Sequence, residues 1–300
     1  MSEGDPILKM GGDALKWAWN NPEEVWKRIS RVKEWFGSRR SKGASSDTDE
    51  ADTHVRPGIL IIGPGGVGKT TIARILSGDF DRVLTDASRD YQESLNVEEF
   101  SLKDDPKIGI VVPPGQEHRR PSTWKELLSE IASGKYRGII LLNAYGYHTF
   151  GIGYRDHRIY LEIASPRNRQ KFMSAYLENR RLDELSVAQK LAPYVQQCQG
   201  KLWVLTVVAK QDLWWTVRDQ VSQYYSHGPY QSEMVAMFAQ HDPLSRRHET
   251  AMTSLVISNF RDGEGEILQA NNAGYDHREQ VDSLRRLFEI MFDLMKWEQG

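Results

Sequence analysis

The chain has one cysteine, Cys198, so no internal disulfide can form, and that usage fits a reducing compartment. No apolar run approaches the length of a membrane span, and the first ten residues lack the charged-then-apolar form of a secretory signal. Neither charge is in excess: 39 Lys and Arg stand against 41 Asp and Glu, a formal net charge of −2 that gives a nucleic-acid partner no electrostatic footing. No internal repeat is visible either. These absences leave a cytoplasmic protein as the expectation. Against them, a hydrophobic fraction of 39% over 300 residues is enough for a real core, in one large domain or a medium domain with an appendage.

What is present changes along the chain. Residues 1–40 are basic and hold Trp17, Trp19, Trp26 and Trp35, four of the nine tryptophans. Asn21-Pro22-Glu23-Glu24 is a helix start, with a capping side chain, proline in the first turn and acids at the positive end. Val25, Ile29, Val32 and Phe36 follow at helical spacing among Lys27, Arg28, Arg31 and Lys33. Such an arm can pack on the protein's own body, dock on a partner, or lie on a membrane surface; Glu23, Glu24 and Glu34 weaken the last of these. Residues 41–55, centred on Ser45-Ser46-Asp47-Thr48-Asp49-Glu50, read as a flexible linker.

From about Arg56, strands alternate with helices, which implies an α/β domain with a mostly parallel sheet covered on both faces. Ile59-Leu60-Ile61-Ile62 is a buried strand entering Gly63-Pro64-Gly65-Gly66-Val67-Gly68-Lys69-Thr70-Thr71, and a short helix follows to about Gly78. Gly63, Gly68, Lys69 and Thr70 satisfy G-x-x-x-x-G-K-[ST], the phosphate-binding loop or Walker A motif. Glycines let the backbone curl until several N–H groups point at phosphate oxygens, and the helix turns its positive end toward them. Lys69 would neutralise the β- and γ-phosphates, and the Thr70 hydroxyl would ligate Mg²⁺. An ordinary strand-to-helix turn is the plain alternative.

The remaining pattern is a hairpin (Leu95–Leu102 and Lys107–Val112), a helix over Trp124–Ala132 and a buried strand over Gly138–Asn143. An irregular segment rich in tyrosine, histidine and glycine, 144–166, comes next. A helix from Lys171 to about Gln197 breaks at Pro193, and strands follow at Leu202–Val208 and Thr253–Ile257. A closing helix shows the stripe Val281, Leu284, Phe288, Met291 and Met295. His118-Arg119-Arg120 reads as a solvated loop rather than an internal arginine finger. Tyr147, His148, His157 and Tyr160 show no metal-ligand spacing and read as an insertion packed by its own aromatics. His227, His241 and His248 read as ordinary surface.

A hairpin directly after the phosphate loop, its second strand ending in Gly115-Gln116-Glu117, resembles the Ras-like small GTPases. Within them it is most similar to the Arf family and the β subunit of the signal recognition particle receptor. Ala209-Lys210-Gln211-Asp212 at a strand end is similar to the family's N-K-x-D, and Ser258-Asn259 is a weak match to its S-A-[KT] loop. The resemblance implies that Gly115 contacts the γ-phosphate, that Gln116 orients the attacking water, and that Asp212 accepts two hydrogen bonds from guanine over the Lys210 stem. Implied nucleotide contacts are Gly63, Gly65, Gly66, Val67, Gly68, Lys69, Thr70, Thr71, Gly115, Lys210, Asp212, Ser258 and Asn259, with Lys69 and Gln116 catalytic. The match spans roughly Arg56 to Trp297 and implies a Ras-like domain over 56–300, a mostly parallel six-stranded sheet with one antiparallel edge strand and helices on both faces, with insertions near 144–166 and 227–250.

The departures are specific. The aspartate of D-x-x-G falls on Val112, so the carboxylate that usually stands behind Mg²⁺ is missing. The asparagine of N-K-x-D falls on Ala209. No threonine sits in an obvious first-switch motif, and Thr85 and Ser88 are the nearest hydroxyls for Mg²⁺. Pro113-Pro114 stiffens the second switch. These losses predict weaker nucleotide binding, less need for Mg²⁺ and slow turnover. The expected function is a GTP-binding molecular switch or assembly component. It would use Mg²⁺, hydrolyse GTP to GDP slowly, and meet a protein partner through the switch region, the arm or the insertions. The alternatives are a structural nucleotide-binding subunit with little hydrolysis, or an ATPase or small-molecule kinase with the same loop. A kinase needs an acceptor pocket and a lid, and the sequence shows no separate lid pattern.

Overall fold

The computed structural model describes residues 56–79, 82–83, 94–103, 107–239 and 244–299. The expected arm (1–40) and linker (41–55), the hydroxyls of Thr85 and Ser88, and His241 lie outside the described residues. Val55–Gly300 forms one compact unit.

The apolar runs become strands β1 (Arg56–Ile62), β2 (Glu98–Ser101), β3 (Ile108–Val112), β4 (Gly138–Asn143), β5 (Leu202–Val208) and β6 (Arg246–Met252). They form one sheet in the order β2-β3-β1-β4-β5-β6. All neighbours run parallel except β2, which lies antiparallel to β3 at the edge. Every residue of β4 and β5 is buried, so both faces of the sheet centre are covered. Each fully buried Leu, Ile or Val there, Leu141 and Val204 among them, contributes about 1.5–3 kcal/mol relative to exposure. A separate two-stranded hairpin is made by β7 (Phe260–Arg261) and β8 (Ile267–Gln269).

The helices are α1 (Lys69–Ser77), α2 (Arg120–Ala132), α3 (Arg158–Glu162), α4 (Arg169–Gln197), α5 (Gln211–Trp214), α6 (Arg218–Ser226), α7 (Pro229–Phe238) and α8 (His277–Gln299). Helix α1 packs on β1, β2 and β3, whereas α8 packs on β5 and β6. Among the described residues, no helix is long and apolar enough to cross a membrane.

Three local expectations are corrected. Pro193 does not break α4, which continues through it to Gln197. Proline removes one helical N–H, but Pro193 is exposed and only one turn remains, so water can serve the freed carbonyl. The last parallel strand is Arg246–Met252, not Thr253–Ile257, and residues 253–257 form the loop beyond it. Placing 246–252 in the sheet takes His248 off the surface: its Nε2 lies 3.0 Å from the Thr206 hydroxyl and its ring stacks on Phe238. Burial lowers its pKa to about 4, so it is neutral. Finally, the buried face of α8 is carried by Leu287, Met291, Leu294 and Met295, while Val281 is exposed.

Candidate functional site

The loop between β1 and α1 lies at the carboxyl end of a central strand, where open α/β sheets hold ligands. Gly68 begins α1 with φ 101° and no side-chain cap, so the first turn's N–H groups face the loop without a competing side chain. Val67 is buried in the core and Thr71 sits half-buried in the first turn. Lys69 is buried, and its ammonium donates to the carbonyl of Pro64 at 2.8 Å. Burial, helped by the nearby Arg120 charge, lowers its pKa to about 7.

Gly115 stands against this loop. A β-carbon there would meet Lys69 Nζ at 2.1 Å and the carbonyl oxygens of Gly63 and Pro64 at 2.5 Å each, so no side chain fits. Gln116 is half-buried beside it, its Cγ 3.4 Å from where a β-carbon on Gly65 would lie. The loop following β3 is held on both sides. Trp124 Nε1 donates to Pro114 O at 2.8 Å, and Arg120 Nε donates to Gly115 O at 2.8 Å. The same guanidinium makes a bidentate pair with Asp183 at 2.6 and 2.8 Å. Burial works against the Asp183 carboxylate, yet the bonds and charge of Arg120 bring its pKa below the ordinary value. The solvated-loop expectation for His118-Arg119-Arg120 therefore fails at Arg120, whose guanidinium is buried and committed to the scaffold. His118 is exposed.

Thr70 donates its hydroxyl to Glu98 Oε2 at 2.6 Å, with Ser94 Oγ at 3.5 Å. Val112, at the position the family fills with aspartate, is buried at the end of β3.

Lys210 and Asp212 lie on the same rim. Lys210 adopts φ 59° and its ammonium donates to Gly66 O at 3.0 Å and to the Thr149 hydroxyl at 2.7 Å. Burial lowers its pKa to about 7, against the pull of Asp212. Gly66 also accepts from the Thr149 N–H at 3.0 Å, and its φ of +75° with Thr149 O 2.1 Å from a would-be β-carbon demands glycine. Lys210 and Thr149 together thus tie the loop after β5 to the phosphate loop. Asp212 is buried. It accepts from the Ser254 hydroxyl at 2.5 Å and the Ser258 N–H at 3.0 Å. Burial raises its pKa to about 6, although those bonds and Lys210 oppose the shift.

The loop after β6 serves this rim differently from the sequence expectation. Ser258 meets Asp212 only through its backbone, while the Asn259 side chain turns away to accept from Asn271 N–H at 3.1 Å. Thr253-Ser254-Leu255 does the positioning. The Leu255 side chain reaches to 3.4 Å from a β-carbon on Gly68, and buried Gln280 donates to Ser254 O and Leu255 O at 3.2 Å each. Extending the strand through 253–257 hid this serine; its place directly after β6 is the signal that finds it.

Segment 144–166 is held by two buried carboxylates: Asp262 accepts from the Tyr154 N–H at 3.0 Å, and Glu184 holds its first residues. Fully buried Glu184 accepts from Ala144 N–H, Gly146 N–H and His148 Nε2 through Oε1, and from the Tyr225 hydroxyl through Oε2. Burial lowers the His148 pKa, so the neutral ring donates from Nε2. Phe150, His157, Phe172 and Tyr176 pack on one another, edge-to-face except for the tilted pairs that Tyr176 makes with Phe150 and Phe172, with ring centroids 4.9–6.1 Å apart. Among the described residues, no group of three or more His, Cys, Asp and Glu could hold a metal ion.

A six-stranded sheet of this order, with a glycine loop leading from its central strand to a helix and a second loop folded onto it, defines a Ras-like P-loop α/β protein. No family model matches the chain, and no curated protein does. Among solved structures, it resembles the signal recognition particle receptor SRb of Chaetomium thermophilum. For the SRb-GTP/SRX complex, identity is 15% and the TM-score 0.39, over 68% of this chain and 92% of that one. For SRb-GDP the figures are 14% and 0.35, over 79% and 99%. The ADP-ribosylation-factor-like small COPII coat GTPase of Encephalitozoon cuniculi, in complex with GDP, shows 11% identity and a TM-score of 0.30 over 93% and 99%. At such values the strand order and loop geometry, not the neighbours, define the class.

Proposed function

We propose that the chain binds GTP with Mg²⁺, hydrolyses it slowly to GDP and phosphate, and works as a switch or assembly component for a protein partner. The observation that carries this reading is Lys69, a dry cation held by its own loop's carbonyl with Gly115 and Gln116 against the same loop. An incoming triphosphate exchanges a carbonyl dipole for full negative charge at that ammonium. The loop N–H groups and Lys69 would hold the phosphates, Gln116 would orient water for in-line attack, and Asp212 would favour guanine, whose edge offers it donors. The donors at Thr70, a hydroxyl and the carboxylate beside it, are hard oxygens of the kind that suit Mg²⁺. When bound, Mg²⁺ neutralises charge that develops on the phosphate oxygens.

Titration with fluorescent GTP and ATP tests the base preference; GTP should bind at least about a hundredfold more tightly. Single-turnover phosphate release from Gln116→Leu should fall by up to about a hundredfold, since only water placement is lost. Equal rates would remove the role given to Gln116. A second reading, a nucleotide-binding structural subunit, draws support from the Arg120–Asp183 clamp on Gly115, which limits the motion available to a switch.

A further inference from the structure

The loss of aspartate at position 112 points to a site with little use for Mg²⁺, but the sheet register points elsewhere. Strand β2 pairs antiparallel with β3, and Glu98 is the direct partner of Val112. Residues directly opposite in an antiparallel pair project to the same face, with β-carbons about 4.5–5.5 Å apart. Glu98 therefore presents its carboxylate on the face where a carboxylate at 112 would have pointed. Its Oε2 takes the Thr70 hydroxyl proton at 2.6 Å, and it is close enough to Lys69 to favour that residue's charged form. A hydroxyl that ligates a cation through its oxygen must send its proton elsewhere, and Glu98 is where this one goes.

We propose that Glu98 supplies from the neighbouring strand the carboxylate that Val112 lacks, and that it positions Thr70 and Mg²⁺ beside the bound phosphates. This rests on the GTP–Mg²⁺ reading above. The chain has moved the carboxylate across one rung of the ladder rather than abandoned it. Nucleotide binding is then strongly Mg²⁺-dependent, contrary to the expectation from Val112 alone.

The test is the Mg²⁺ concentration that half-maximally slows release of labelled GDP, set with metal buffers, in the full-length chain and its variants. Glu98→Gln keeps an acceptor for Thr70 but removes the charge, and Glu98→Ala removes both. Each should raise the Mg²⁺ midpoint about 10–100-fold, a larger factor than any change in GDP binding in EDTA. Adding Val112→Asp to Glu98→Ala should bring the midpoint back toward wild type. Glu98→Gln is near-isosteric, so it carries the test should Glu98→Ala melt early. An unchanged midpoint in Glu98→Gln and Glu98→Ala, with GDP still bound, overturns the proposal and leaves the nucleotide reading standing. If wild type binds no guanine nucleotide with or without Mg²⁺, both fall.

Discussion

Lys69, buried, and Lys210, half-buried, are cations anchored to carbonyls of one glycine loop, at Pro64 and Gly66, and each has its pKa lowered to about 7 by desolvation. A lysine whose folded pKa lies below its unfolded value makes the empty protein more stable as pH rises from about 7 toward 10.5. Phosphate at Lys69 restores the charged form, so binding takes up a proton over that same window. The nucleotide dissociation constant should therefore rise above pH 7, by up to about tenfold per unit, and calorimetry in buffers of different ionisation enthalpy should count the proton. Asp212 shifts the opposite way, raised to about 6 by burial, so its contribution to stability is present below 3.8 and lost as pH climbs through 6. Below pH 6 it becomes a neutral acid, and the preference for GTP over ATP should fade between pH 7 and 5 in competition titrations. Gly115→Ala is the sharpest steric probe. Two of the three atoms its methyl would meet are backbone, so a loss of about 1–3 kcal/mol in thermal unfolding is expected, together with weaker nucleotide binding.

At the scale of elements, α4 is the organiser that the motifs did not reveal. Asp183 holds Arg120 and through it the loop at Gly115, and the next residue, Glu184, holds the segment at Ala144, Gly146 and His148. Glu184→Ala should destabilise the fold by about 3–5 kcal/mol in denaturant melts, because four donors lose their acceptor; Glu184→Gln keeps one acceptor oxygen and should cost less. Arg120→Ala should leave nucleotide in place yet speed amide exchange at 115–117, since the bond to Gly115 O is what restrains that turn. Neither device was legible in the sequence. Asp183 and Glu184 sit in a run of charged residues that reads as a solvated face, and only the chain's return from 69 and 144 turns them inward. The phosphate loop was legible because its glycines and lysine are local. Glu98 was not, because its meaning depends on which residue lies across the ladder.

For the molecule as a whole, alternating apolar runs and helical periods were enough to foresee a mostly parallel sheet beside a hairpin, the resemblance supplied six strands with one antiparallel edge, and β4 falls on the residues expected. The miss was the last strand. Arg246–Met252 reads as polar (Arg-Arg-His-Glu-Thr-Ala-Met), yet it completes the sheet beside β5 because its backbone pairs over seven consecutive positions. A chain beginning at Val55 should unfold in one cooperative step and bind nucleotide as the full chain does, checked by calorimetry and titration. The outermost strand, β2, has only four residues, and side chains on a strand alternate faces. A slip of a single residue against β3 would turn Glu98 to the opposite surface and present Val97 or Glu99 in its stead. With Glu98 holding the ion as proposed, ion retention would double as a gauge of how this border strand is seated, and whatever grips that border from outside would gain leverage on the ion.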